Sequence, residues 1–313
     1  MKTRTFFALV AAVVPAVTSA GCARHSQGGG ASSSVDATAS IMTYEQYVAG
    51  NRDGPIVRFF DTSEGQLCLV GIGHTFEAGN QTTGTIYSEW SGFNPSVAFF
   101  EGVGWEKGKS QEVIEKHGEP AFVRFMAFVS RVPVMSIEPD LVNEIRHLQS
   151  TWSDSQIRSF YALRMMAEHF AANGELPTAQ SIHSFLNLWF PRLDDFSQEP
   201  STYEALERVL VKNLPPELDV RAPKRSWIEP TADLTLFNEI ARDSGRFRDE
   251  RILRVLLSEV QQGERVYFAV GFTHAHMLEP AISSVLGSPT VAPHGAQQCV
   301  AADPSSATLQ SGG

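Results

Sequence analysis

Apolar and polar positions fall into zones of different period along the chain. Ile56–Phe60 and Gln66–Gly71 are rich in Val, Leu, Ile and Phe, and Asp61–Gly65 between them supplies turn residues. That pattern predicts two strands joined as a hairpin. Pro95–Phe100 is a continuous apolar run, as in strands covered on both faces, and Val132–Ile137 is a further candidate strand. Arg265–Val270 is the clearest strand of all. The middle of the chain has helical spacing instead. Ser153 and Gln156 form a capping box ahead of Phe160, Leu163, Ala167 and Phe170, and Asn173–Gly174 is a stop signal. Helices are expected near 178–190 and 201–213, the second ended by Pro215 and Pro216. Near 247–261, Ile252, Leu253, Leu256, Leu257 and Val260 make one apolar stripe. The expected fold is α/β: a central mixed β-sheet flanked by helices, an opening β-hairpin, and a helical insertion at about 105–230 within one domain spanning 41–300.

The two ends of the chain read differently. Lys2 and Arg4 precede an apolar run, Phe6–Val17, which is followed by small residues up to Gly21. Residues 1–21 therefore read as a secretory signal, too short for a membrane-spanning helix. Ser19–Cys22 is similar to a bacterial lipobox, which makes Cys22 the lipidation site of an exported, membrane-anchored protein of the bacterial cell envelope, facing the periplasm or the exterior. Plain cleavage after Ala20 is the alternative. Residues 22–40, rich in Gly, Ser and Ala, read as a flexible linker, and 301–313 as a disordered tail. In an oxidising compartment Cys68 and Cys299 are a candidate disulfide; the alternative is a buried Cys68 and a free Cys299. The net charge of -10 argues against a nucleic-acid partner, which needs clustered Lys and Arg.

Chemistry-bearing residues collect at strand ends. Two Gly-x-x-His turns, Gly71–His74 and Gly271–His274, each follow a strong strand. Glycine allows a positive φ or a close approach there, so each histidine can be presented over the sheet edge. A helix that leads into a strand runs opposite to it, which brings Arg248, expected in the first turn, close to His274. Open α/β sheets bind ligands at that edge. Glu101 directly follows its strand and points to the same edge if the strands are parallel. His74, His274 and Glu101 form a two-His, one-carboxylate set suited to a divalent metal; the alternative is that each His caps a strand through a backbone hydrogen bond. Arg248 is suited to holding a carboxylate or an oxyanion. Glu77 is either a partner of His74 or a helix-starting acid, and Glu138 ends the strand at 132–137. His276 either joins the site or lies in a solvated loop. His117, His147, His169 and His183 lie on expected helices without metal-like pairing.

The segments 56–75, 95–102 and 247–275, with Gly71 and His74, Glu101, Arg248 and Asp249, and Gly271 and His274 in that order, resemble the TraB/GumN/Tiki group. That group belongs to a superfamily with ChaN-like haem-binding lipoproteins and erythromycin esterases. Asp249 stands where the group carries Asn, and Gly102 follows the strand-end Glu. The resemblance implies a hydrolase dependent on a divalent metal, Mn or Co, with Zn also compatible, acting on a peptide or ester carbonyl. In it His74, Glu101 and His274 hold the metal, and Arg248 stabilises negative charge. The ChaN-like branch implies a haem- or ligand-binding lipoprotein without catalysis.

Overall fold

The computed structural model describes residues 37–52, 54–102, 110–190 and 193–290. It begins with a 3-10 turn, Ala37–Ser40, inside the stretch read as linker, followed by α1 (Tyr44–Ala49). The hairpin β1 (Ile56–Asp61) and β2 (Gln66–Ile72) comes next, then α2 (Gln81–Phe93) and β3 (Val97–Phe100). The helices α3 (Ser110–His117) and α4 (Glu119–Ser130) lead to β4 (Val134–Ser136). The helical middle contains α5 (Leu141–Leu148), α6 (Asp154–Asn173), α7 (Ala179–Ser184), which continues as a π-helical turn, and α8 (Tyr203–Asn213). The long α9 (Leu236–Gln261), β5 (Arg265–Gly271) and α10 (Phe272–Leu286) close the domain.

The fold is α/β with a five-stranded mixed sheet in the order β1-β2-β5-β3-β4. Only β1 is antiparallel to its neighbour; β2, β5, β3 and β4 run parallel. The continuous apolar runs arise because both faces are covered. One set of alternating residues, Leu67, Leu69, Phe99, Val266 and Phe268, packs under Ile252, Leu256 and Val260 of α9 and Leu278 and Ile282 of α10. The opposite set, Cys68, Val70, Ala98, Phe100 and Tyr267, packs under Ile86 and Trp90 of α2 and Phe122 and Val123 of α4. Each fully buried side chain of this size contributes about 1.5–3 kcal/mol.

A third core is wholly helical. It joins α5, α6 and α8 to Phe237, Ile240 and Ala241 at the start of α9. Thus α9 belongs to two cores, and its 26 residues explain why. The helix starts at Leu236, not near 247, so Arg248 sits at its middle and not in its first turn. At 1.5 Å per residue, Arg248 stands about 20 Å from the C-terminal end of α9. β5 is about 23 Å long at strand spacing. Arg248 and Asp249 therefore stand level with the C-terminal end of β5, and the N-terminal half of α9 overshoots the sheet into the helical core.

Cys68 is a buried free thiol. Its expected partner Cys299 lies outside the described residues, as does Cys22. Among the described residues no helix is long and apolar enough to cross a membrane.

Candidate active site at the sheet edge

The parallel strands bring their C-terminal ends to one edge. Ile72 of β2 pairs with Gly271 of β5, and Phe100 of β3 pairs with Ala269. The two Gly-x-x-His turns thus leave adjacent strands at the same level. They then diverge: His74 lies in a loop, while His274 lies in the first turn of α10. Neither Gly71 nor Gly271 has a positive φ. Close approach is the reason for Gly71 instead. A Cβ on Gly71 would come within 2.6 Å of the Ala275 Cβ, so the glycine lets α10 lie against β2. A Cβ on Gly271 would sit 3.4 Å from Glu101 Oε2 and 3.5 Å from His74 Nε2.

Carboxylates hold every cation in this cluster. His274 Nδ1 lies 2.6 Å from Asp249 Oδ1, and His74 Nδ1 lies 2.5 Å from Glu119 Oε1. Arg248 donates to Glu138 at 2.6 and 2.8 Å and to Glu101 at 3.1 Å. Glu101 Oε2 also accepts the Gly271 N–H at 3.0 Å. Glu138 Oε1 accepts the Gly102 N–H at 3.3 Å, where a positive φ of 100° turns the chain after Glu101. Neither imidazole Nε2 has a hydrogen-bond partner among the described residues. α10 starts at Gly271 with no side-chain cap, so its first-turn N–H groups also face this edge.

These contacts set the charges. Burial opposes ionisation of Glu101, but the positive charges of His274, Arg248 and His74 and the Gly271 N–H outweigh it and hold its pKa at about 2. The hydrogen bond to Glu119 raises His74 to about 9, against burial, with help from the charge of Glu101. Burial disfavours the charged form of His274, yet Asp249 and Glu101 leave its pKa above the ordinary value. Arg248 is likewise held charged by Glu138 and Glu101 despite burial. The ring of His74 is the open member of the cluster, with 64% of its side chain exposed against 15% for His274.

The structure therefore brings together His74, Glu101, Glu138, Arg248, Asp249 and His274. Two other residues fall elsewhere. Glu77 is exposed, and its expected place beside His74 is taken by Glu119. His276 is in neither the site nor a solvated loop: it is buried within α10, with Nε2 3.2 Å from the Gly54 carbonyl. Tyr44, unnoticed in the sequence, packs behind the site. Its hydroxyl occupies the space a Cβ on Gly245 would need, and burial followed by the charge of Asp249 pushes its pKa far up. Glu119, buried at the start of α4, was also missed. Its only local signal is an acid in the first turn of a helix.

The space beside Glu101, Glu119, Val123 and Gly271 is closed, with no room for a water molecule. A hollow of about 280 Å³ lies on the helical unit between Ser155, Arg208 and Lys212 and shares none of these residues. Comparison with protein families, curated proteins and solved structures finds no match to the chain.

Proposed function

We propose that this sheet edge is the site of a divalent-metal-dependent hydrolase acting on a peptide or ester carbonyl, in a chain of TraB/GumN/Tiki type. The observation that carries the reading is the state of the two histidines. Each has Nδ1 on a carboxylate and Nε2 without a protein partner among the described residues, the arrangement usual for metal-ligating imidazoles. His74 Nε2 and Glu101 Oε2 also face one point beside Gly271.

Nitrogen and carboxylate donors suit Mn, Co or Zn. Among the described residues no three His, Cys, Asp or Glu side chains are grouped closely enough to enclose an ion, and both Glu101 oxygens already have partners. The donor types fit a metal, and His74, Glu101 and His274 would hold it. A bound ion would lower the pKa of a water and polarise a carbonyl.

The chain's own groups supply the remainder. Arg248, fixed by Glu138, would supply a permanent positive charge to a carbonyl oxygen that gains negative charge. The first-turn N–H groups of α10 add to that field. Glu101 stays ionised and orients a water by accepting its hydrogen bond. The signal-like N-terminus and Cys22 support export and lipid anchoring at the cell envelope.

The test is hydrolysis of a quenched fluorescent peptide library and of a nitrophenyl ester, with Mn and with chelator. Metal-dependent turnover that disappears in His74→Ala and Glu101→Ala supports the reading. Equal activity in all variants overturns it.

A further inference from the structure

We propose that Glu119 and Asp249 are the positioning residues of this site, each fixing one imidazole by its Nδ1 so that its Nε2 is left without a protein partner among the described residues. The proposal rests on the metal-site reading for its purpose, but the geometry stands apart from it.

Glu119 works on two atoms at once. Oε1 takes the His74 ring at 2.5 Å, and Oε2 takes the Thr75 N–H at 2.8 Å. Ring and backbone of the loop after β2 are thus held by one carboxylate. That carboxylate is itself buried, with 4% of its side chain exposed. Gly118 makes this possible: a Cβ there would come within 3.2 Å of the Thr75 carbonyl, and its φ of 78° suits glycine. The start of α4 can therefore press directly against the loop. Without Glu119 the open ring of His74 has no other partner among the described residues to fix its plane.

Asp249 serves the second ring from the opposite side. It is fully buried on α9, one residue after Arg248, and its Oδ1 lies 2.6 Å from His274 Nδ1. Its Oδ2 is buried with no hydrogen-bond partner among the described residues. Packing alone does not account for a carboxylate left half satisfied in the interior, since such a group is costly. Its hold on His274 does. The two carboxylates come from different helices, α4 and α9, and share no partner, so each governs its own histidine.

The experiment uses the full chain and two variants, Glu119→Gln and Asp249→Asn. Proton NMR of the metal-free protein records the downfield Nδ1–H resonance of each histidine, and calorimetric titration with Mn²⁺ records affinity. Glu119→Gln is expected to move only the His74 resonance, and Asp249→Asn only that of His274. Each should weaken Mn²⁺ binding about 10–100-fold. A general structural role would move both resonances together. Joint movement, or no movement in either variant, overturns the proposal. If the resonances respond one by one but the parent takes up no Mn²⁺, positioning stands and the metal reading fails.

Discussion

His74 and Glu101 converge on the space left by the missing side chain of Gly271. His74 Nε2 and Glu101 Oε2 would lie 3.5 and 3.4 Å from a Cβ placed there. Those are ordinary van der Waals distances, so a methyl group fits without strain. Gly271 has φ -52° and ψ 136°, which alanine also adopts. Gly271→Ala should therefore leave stability unchanged or raise it by about 0.4–1 kcal/mol. It should also cut metal affinity at least tenfold by occupying the meeting point. Thermal unfolding beside metal titration of the same sample checks both halves.

The matching glycine of the first turn should behave in the opposite way. A Cβ on Gly71 meets the Ala275 Cβ at 2.6 Å and Ile56 Cγ1 at 3.0 Å. Gly71→Ala forces α10 away from the sheet and should cost about 1–3 kcal/mol. Urea unfolding measures it; a loss below about 0.5 kcal/mol contradicts the close approach, since that is the usual range of surface substitutions.

Arg248 neutralises two carboxylates that are themselves mostly buried, Glu101 and Glu138. Arg248→Met leaves both without their cation. The expected loss is about 3–5 kcal/mol, toward the lower figure because neither acid is fully enclosed. Adding Glu138→Gln to that variant should recover part of the loss. A double-mutant cycle by denaturant unfolding tests the coupling.

Stability of the metal-free protein should depend on pH at both ends. Glu101 has its pKa depressed from 4.5 to about 2, so its contribution is present above 4.5 and lost as pH falls through 2. His74 is raised from 6.5 to about 9, so its contribution is complete below 6.5 and lost as pH rises through 9. The exposed ring makes the alkaline effect the smaller one. Because the hydrogen bond to Glu119 is its main cause, Glu119→Gln should flatten the alkaline limb in unfolding measured from pH 6 to 10.

Strand-end chemistry was legible in the sequence because each element carries a local signal. β2, β3 and β5 read as apolar runs, and Glu101, His74 and His274 stand just beyond them. The N-terminal half of α9 did not read as part of the later helix. Its stripe turns from the sheet core to the helical core, and polar residues intervene whose partners lie far away in sequence. Asp243, for example, accepts from Trp152 Nε1 at 2.9 Å and pairs with His147. Glu119 was missed for the same reason, since its contact spans 45 residues. His276 reads in the sequence as a site or loop residue because α10, with Pro280 inside it, carries no clear helical signal.

The most direct measurement is metal stoichiometry. Chelator-stripped protein is dialysed against Mn²⁺ and the bound metal is counted for the parent and for His74→Ala, Glu101→Ala and His274→Ala. The account predicts one ion per chain in the parent and loss of saturable binding in each variant. No saturable binding in the parent, or binding unchanged in all three variants, would contradict it.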